Sequence, residues 1–189
     1  GCCAGFGVPV AKYFGANNLH KMRKYIFNGA VLTGIIALIV TIVCSVCCNQ
    51  ILHLLSVPQD IYDKAYAYLI VIFLGIPFTL MYNYLSSVLR SLGDSRTPFV
   101  FLAFSAILNI FLDLFCIVVL KWDCAGAAIA TITAQAVSGI LCLVYIFKKV
   151  QIMHLEAEDR EIEGSAVKEL LVMGIPTGLQ FSITAIGSM

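Results

Sequence analysis

The stretch ILNIFLDLF, residues 107–115, places one carboxylate, Asp113, and one amide, Asn109, inside a long apolar run. Ser105, Asn109 and Asp113 recur at intervals of four residues, so a helix would carry them as one polar stripe on an apolar surface. An ionisable side chain in such a run is costly and usually faces a cavity or a partner rather than lipid. Carboxylate, amide and hydroxyl oxygens suit a hard cation, and a carboxylate can also carry a proton.

The next apolar run carries a second stripe, formed by Thr131, Gln135 and Ser138. Counted from the short segment joining the runs, Asp113 and Thr131 lie about 10 Å and about 9 Å into the membrane. We predict an antiparallel hairpin in which both stripes face one cavity, with Gln135, Ser105 and Ser138 as weaker lining candidates. For the second stripe alone, hydrogen bonds that merely join helices are the favoured alternative. For Asp113 a functional role is favoured, because an Asn would bond as well without a buried charge.

Transmembrane helices are the elements that must position these residues. Of the 189 residues, 60% are hydrophobic and 12% are charged, whereas soluble domains have about 45–50% apolar and about 25% charged residues. Uncharged stretches of about 20 residues are long enough to cross the hydrocarbon core. Both ends of the sequence lie in apolar segments, so we expect a fragment of a longer protein. Complete spans are predicted at 25–48, 65–89, 97–120 and 125–147, with partial spans at 1–11 and 170–189.

Lysine and arginine are concentrated in alternate connecting segments. Segments 12–24, 90–96 and 148–169 hold ten of these residues, whereas 49–64 and 121–124 hold two. Cytoplasmic loops of membrane proteins carry the excess of basic residues. The first three segments are therefore predicted to be cytoplasmic.

Prolines and one polar connector mark the breaks in this pattern. Pro77 and Pro176 each follow Gly-Ile inside an apolar run, where a proline bends a helix, and both are hinge candidates. Thr97 is expected to cap the helix that begins beside it. Segment 148–169 is expected to be a solvated connector, partly helical, that ends near Gly164.

Several classes of function are disfavoured by the composition. A net charge of +1 gives no basic field for nucleic acid. The eight cysteines lack the second pair or the His cluster that a zinc site needs, and are interpreted as small apolar helix residues. We expect no cofactor and no metal beyond a Na⁺ at Asp113. An intramembrane enzyme is not expected, because Asp113 is the sole acid and no histidine lies within a complete span.

The segments LRSLGDSRTPFVFLAFSAILNIFLDLFCIV and GAAIATITAQ resemble the multidrug and toxin extrusion (MATE) family of transporters. GFGVPVAKYFGANN resembles the end of the family's second helix, and KELLVMGIPTGLQFSI resembles the start of its seventh. The resemblance implies an all-α, polytopic bundle with two six-helix lobes, truncated here at both ends. Residues 1–147 would form the second to sixth helices of the first lobe, 148–169 the interlobe loop, and 170–189 the start of the seventh helix.

The same resemblance implies a function and a location. The family's members rock between outward-open and inward-open states and export amphipathic, often cationic compounds in exchange for Na⁺ or H⁺. It implies a monomeric, multi-pass transporter in the lipid bilayer of the plasma membrane, which is the inner membrane in a Gram-negative cell.

The site residues that the resemblance implies lie on two helices. Asn109 and Asp113 match the family's fifth-helix cation-site pair, and Thr131 matches a partner on the sixth helix. In some branches the seventh helix carries a Glu eight residues after its proline. Thr184 stands at that position here, so we expect the cation site in the first lobe.

The main alternative is a lipid-linked oligosaccharide flippase of similar two-lobe architecture. Such proteins line their cavity with basic residues that hold pyrophosphate, whereas no Lys or Arg lies inside a complete span of this chain. A channel is less favoured, because two lobes joined by a polar loop suit a rocking motion better.

Overall fold

The structure, a computed structural model, describes residues 2–151 and 154–188, and the regular structure in these ranges is helical. Within them, five helical stretches are long and apolar enough to cross a membrane. The predicted all-α, polytopic fold is confirmed. A π-helical turn, Phe115–Val119, follows α6, and a 3₁₀ turn, Ala157–Arg160, lies between α7 and α8. The helices are α1 (Cys2–Gly15), α2 (Leu19–Val46), α3 (Cys48–Leu54), α4 (Gln59–Leu74), α5 (Ile76–Ser91), α6 (Arg96–Leu114), α7 (Cys124–Lys149) and α8 (Gly164–Gly187).

Helices and uncharged runs have different boundaries. Helix α2 begins at Leu19, before the predicted span 25–48, because the basic residues that precede that span are also helical. The predicted span 65–89 differs most from the structure, because it is divided between α4 and α5, which meet at Gly75. Pro77 lacks the N–H that would bond the carbonyl four residues earlier, so the helix is interrupted just before it.

The turn between α5 and α6, in the segment LGDSRTP, depends on its glycine and its aspartate. Gly93 adopts φ +86°, a left-handed conformation that ends α5 without a steric cost. Asp94 accepts hydrogen bonds from the Thr97 backbone N–H at 3.0 Å and the Thr97 hydroxyl at 2.6 Å. The expectation that Thr97 caps α6 is therefore wrong: the helix begins one residue earlier, at Arg96, and Thr97 is a donor in its first turn.

Apolar packing is concentrated at the end of the bundle that carries segments 12–24, 90–96 and 148–169, here called the basic end. The α1 and α8 helices lie side by side there. Both contact α2, and α1 also contacts α5. Towards the opposite end α2 is open, with Val46 76% exposed. The side chains that are almost completely buried at the basic end include Phe6, Val10, Met22, Val88, Leu89, Cys142 and Leu170.

The polar segment between α7 and α8 is largely exposed to solvent, yet several of its acids pair with basic residues of α2. Asp159, in the 3₁₀ turn, is completely buried, and its Oδ1 lies 2.8 Å from His20 Nδ1. Arg23 Nη1 lies 3.3 Å from Glu156 Oε1. The expectation of a solvated connector holds for most of 156–163, whose residues are exposed, and is wrong for Asp159, which is buried where the acids of the segment face the basic first turns of α2.

Asn28 fixes the last residues before α8. It is completely buried, and its amide donates to the Glu161 carbonyl at 3.1 Å and accepts from the Glu163 N–H at 3.0 Å. Lys24 Nζ lies 2.8 Å from Glu163 Oε2, and this hydrogen bond holds the pKa of Glu163 below its usual range. The contribution of this pair to stability is therefore present above the usual Glu pKa and is lost as the pH falls through the lowered value. We call the contacts of residues 156–163 with α2 the linker clamp.

Replacing Asp94 by alanine should destabilise the start of α6 by about 1 kcal/mol, the usual cost of a lost helix cap. Partial burial alone would raise the pKa of Asp94, but the hydrogen bonds from Thr97 outweigh it and the pKa is lowered. The contribution should therefore be present at neutral pH and decline as the pH falls through the lowered pKa. Thermal unfolding in detergent measures it. Ser95→Ala is the control, since Ser95 makes no side-chain cap bond; equal melting temperatures for the two variants would contradict the assignment.

Breaking the linker clamp should expose the segment to protease. Asp159→Ala removes the buried carboxylate beside His20, so trypsin should cleave after Arg160 faster than in the wild type. Glu158→Gln, at an exposed neighbouring position, should cleave at the wild-type rate. Cleavage of Asp159→Ala that is no faster than cleavage of the control would show that the clamp does not restrain the segment.

Candidate cation site

Three polar side chains meet where α6 packs against α7. The side-chain amide of Asn109 lies 3.0 Å from the Thr131 hydroxyl oxygen. The same amide lies 3.2 Å from Asp113 Oδ2, one turn further along α6. The predicted hairpin therefore brings Asn109, Asp113 and Thr131 together, and we call these three residues the triad.

The orientation of the Asn109 amide follows from its neighbours. With its nitrogen towards Asp113, the amide donates to the carboxylate at 3.2 Å and its oxygen accepts from the Thr131 hydroxyl at 3.0 Å. The opposite orientation would place the amide oxygen against a carboxylate oxygen. We therefore assign the first orientation to the ionised acid, and note that the second fits a carboxylate that carries a proton or contacts a cation.

The second carboxylate oxygen gives the triad its chemical character. Asp113 Oδ1 is buried, and no residue in the described ranges offers it a hydrogen bond. A buried polar atom without a partner is costly, and the cost is greater for a charged group. A proton on the carboxylate, or a cation bound to its oxygens, would relieve that cost.

The π-helical turn begins two residues after Asp113. Its wider hydrogen bonding is seen in the Leu120 N–H, which donates to the Phe115 carbonyl at 3.2 Å. The Trp122 N–H then donates to the Cys116 carbonyl at 3.0 Å, which leads the chain towards α7. Such turns often occur at functional sites, and nothing in the apolar sequence FCIVV indicated one.

The remaining stripe residues do not join the triad. Gln135 Oε1 accepts a hydrogen bond from the hydroxyl of Thr79 on α5. Ser138 is buried, and its hydroxyl has no partner within 2–151 and 154–188. Ser105 is partly buried on α6. The stripes thus meet at the triad alone, and one cavity facing both stripes stays a prediction.

Thr79 is the residue near the site that sequence reasoning missed. It lies one turn after Gly75, on a different span from the triad, and helical spacing does not reveal which neighbouring helix a side chain faces.

The two hinge candidates have different surroundings. Pro77 lies in the first turn of α5, immediately after the interruption at Gly75. Pro176 lies inside α8, which is continuous through it. The buried residues of α8, Ala166, Leu170 and Gly174, all precede Pro176. Hinge motion at either proline stays a prediction.

The sequence model of the MatE family matches residues 1–115. Among curated proteins, "Probable multidrug resistance protein YpnP" of Bacillus subtilis is 38% identical over 139 residues, 74% of this chain and 31% of that protein. "Probable multidrug resistance protein NorM" of Thermotoga maritima is 31% identical over 192 residues, 97% of this chain and 40% of that protein. The chain thus spans about two fifths or less of the length of these relatives.

Solved structures show the same fold. The inward-facing and outward-facing conformations of "a multidrug resistance MATE family transporter of the MOP superfamily" both match with a TM-score of 0.85 and 22% identity. The matches cover 93% and 94% of this chain and 41% of each solved chain. A structure described as "MATE in the bent conformation" matches with a TM-score of 0.89 and 23% identity, over 97% of this chain and 42% of that chain.

Proposed function

We propose, from the premise that this chain belongs to the MatE family, that it forms most of one lobe of a secondary antiporter. The antiporter exports amphipathic, cationic compounds and takes up Na⁺ or H⁺ in exchange. The observation that carries the proposal is the triad: a carboxylate with one unpartnered buried oxygen, beside an amide and a hydroxyl, in a membrane-spanning bundle.

The chemistry of the triad suits a coupling ion. Asp113 supplies a charge, and Thr131 and a reoriented Asn109 amide supply neutral oxygens, which are the ligands hard cations prefer. A proton on Asp113 would satisfy the same carboxylate, so either ion serves. Without an ion, the Asn109 N–H stabilises the carboxylate at 3.2 Å.

Antiport needs two ligands that compete for one charge. A coupling ion at Asp113 neutralises it, and a cationic substrate nearby would do the same, so the binding of one favours release of the other. A ligand shifts a conformational equilibrium only by its differential affinity for the two states. Asp113 is the charge that supplies this difference.

A rocking motion requires lobes that keep their internal structure. The chain resembles the inward-facing and the outward-facing structures equally well, as expected if a lobe moves as one body. The packed core at the basic end would hold the helices of this lobe together during such a motion.

Charge favours cationic cargo over the flippase alternative and over catalysis. A pyrophosphate-linked lipid would need basic side chains in the cavity, and no Lys or Arg lies inside a complete predicted span. Asp113 is the one acid inside the complete predicted spans, so those spans offer it no second carboxylate with which to form an acid–base pair. The proposed protein is therefore a transporter and not an enzyme.

The basic end is proposed to face the cytoplasm, with the protein in the plasma membrane, and segments 12–24, 90–96 and 148–169 are then cytoplasmic. The ten-to-two distribution of Lys and Arg supports this orientation. The acyl chains of the bilayer would cover the apolar side chains exposed on the spanning helices, and a single copy is proposed to suffice for transport.

Cysteine labelling in intact cells tests this orientation. Cys124 is exposed at the end opposite the basic end, so a membrane-impermeant maleimide should modify it, and Cys124→Ser should remove that labelling. In a Cys124→Ser background, a cysteine replacing Ser165 should react only after permeabilisation. The reverse pattern would invert the proposed topology.

The role of Asp113 is tested by Asp113→Asn in the full-length protein. The variant keeps the shape of the side chain but removes the charge, so gradient-driven efflux of a lipophilic cation from proteoliposomes should fall about tenfold or more, equivalent to about 1.4 kcal/mol. Membrane insertion should be normal. Asn109→Ala should weaken transport less, because it removes one ligand oxygen and no charge.

Asp123→Asn is the matched control, because Asp123 is an exposed acid that pairs with Lys64 at 3.1 Å outside the triad. It should transport at the wild-type rate. Wild-type efflux by Asp113→Asn, at equal protein levels, would make Asp113 a structural residue. Flipping of a lipid-linked sugar without export of cationic dyes would favour the flippase instead.

A further inference from the structure

The interruption between α4 and α5 packs directly on the helix that carries Thr131. A Cβ added to Gly75 would lie 2.4 Å from Ile132 Cγ1 and 2.7 Å from Ile132 Cδ1, so only glycine allows this approach without displacing Ile132. Ile132 is the neighbour of Thr131 in α7. Gly75, at the α4–α5 interruption, therefore contacts the residue that follows Thr131 of the triad.

Thr79 ties the same two elements together by a hydrogen bond. Its hydroxyl lies 3.2 Å from the Gly75 carbonyl oxygen and closer to Gln135 Oε1, to which it donates. Gln135 lies one turn after Thr131 on α7. No water competes for such a bond in the bilayer core, so the Thr79–Gln135 pair holds α5 and α7 in one rotational register.

One turn of α7 is thus contacted from two sides. On one side the Thr131 hydroxyl meets Asn109 at 3.0 Å. On the other side Ile132 meets Gly75, and Gln135 meets Thr79. A rotation of α7 that relaxed the second contact would turn the Thr131 hydroxyl away from the triad.

We infer that Thr79, acting through Gln135, is a positioning residue for the triad: it holds α7 so that Thr131 faces Asn109 and Asp113. The inference rests on the proposed function, since it concerns the ion affinity of that site. It also links the triad to the interruption before Pro77, because a change of bend there would move Thr79 and, with it, α7.

The test measures how transport by the full-length protein in proteoliposomes depends on the concentration of the coupling ion, Na⁺ or H⁺. Thr79→Val keeps the shape of the side chain and removes the donor. It should raise the half-saturating ion concentration by about threefold to tenfold, the effect of one interhelical hydrogen bond, with little change in maximal rate. Thr79→Ser restores the hydroxyl and should restore the wild-type value. A residue that merely stabilised the fold would lower the amount of protein or the maximal rate instead.

Thr133→Val is the matched control on α7, because Thr133 is exposed and its hydroxyl bonds the Ile129 carbonyl of its own helix at 2.7 Å. It should leave the half-saturating concentration unchanged. Gln135→Met removes the acceptor and provides a second route should Thr79→Val not accumulate. It should give the same shift, and the double variant should add nothing to either single one, since both remove one interaction.

The outcomes separate this inference from the proposed function. Wild-type ion dependence in Thr79→Val, or additive effects in the double variant, would overturn the positioning role and leave the antiport intact. A wild-type protein whose transport is independent of both ions would refute the proposed antiport, and the positioning role would fall with it.

Discussion

A bilayer offers no water to satisfy polar groups, and the arrangement of this chain follows from that constraint. The backbone is therefore helical across the spans, and polar side chains within them need partners on neighbouring helices. Asn109, Asp113 and Thr131 form one such group, and Thr79 with Gln135 forms another. Several buried hydroxyls, such as that of Ser138, have no partner among the described residues, but Asp113 Oδ1 differs from them because it belongs to an ionisable group inside a span. A charge kept in that position is costly to the fold, and the use proposed for it is to bind a coupling ion.

The two ends of the bundle differ in how they are held together. At the basic end, apolar packing and the linker clamp bind α1, α2 and α8 to one another. The clamp ends at Glu163, directly before α8, so the first half of α8 is anchored to α2 from its first residue. The triad lies nearer the opposite end, where helix surfaces are more open. This division places the rigid part of the bundle away from the group proposed to bind ions.

The sequence alone predicted much of this arrangement. The apolar runs predicted the spanning helices, because their length matches the hydrocarbon core and Asp113 is the sole charge among them. Four-residue spacing placed Asn109 and Asp113 on one face, and the short connection placed Thr131 at matching depth. These predictions succeeded because each depends on local periodicity and chain length, which sequence carries directly.

Contacts between helices distant in sequence were decided by the tertiary structure alone. Asp159 is buried against His20, although the sequence of its segment looks solvated. Gln135 belongs to the same stripe as Thr131 yet bonds to Thr79 on α5, because α7 packs against α4 and α5 as well as against α6. The interruption lies at Gly75 rather than at Pro77, since the helix loses its hydrogen bond before the proline and the glycine fits against Ile132. Periodicity defines the face a residue occupies on its own helix, but only packing decides which helix that face meets.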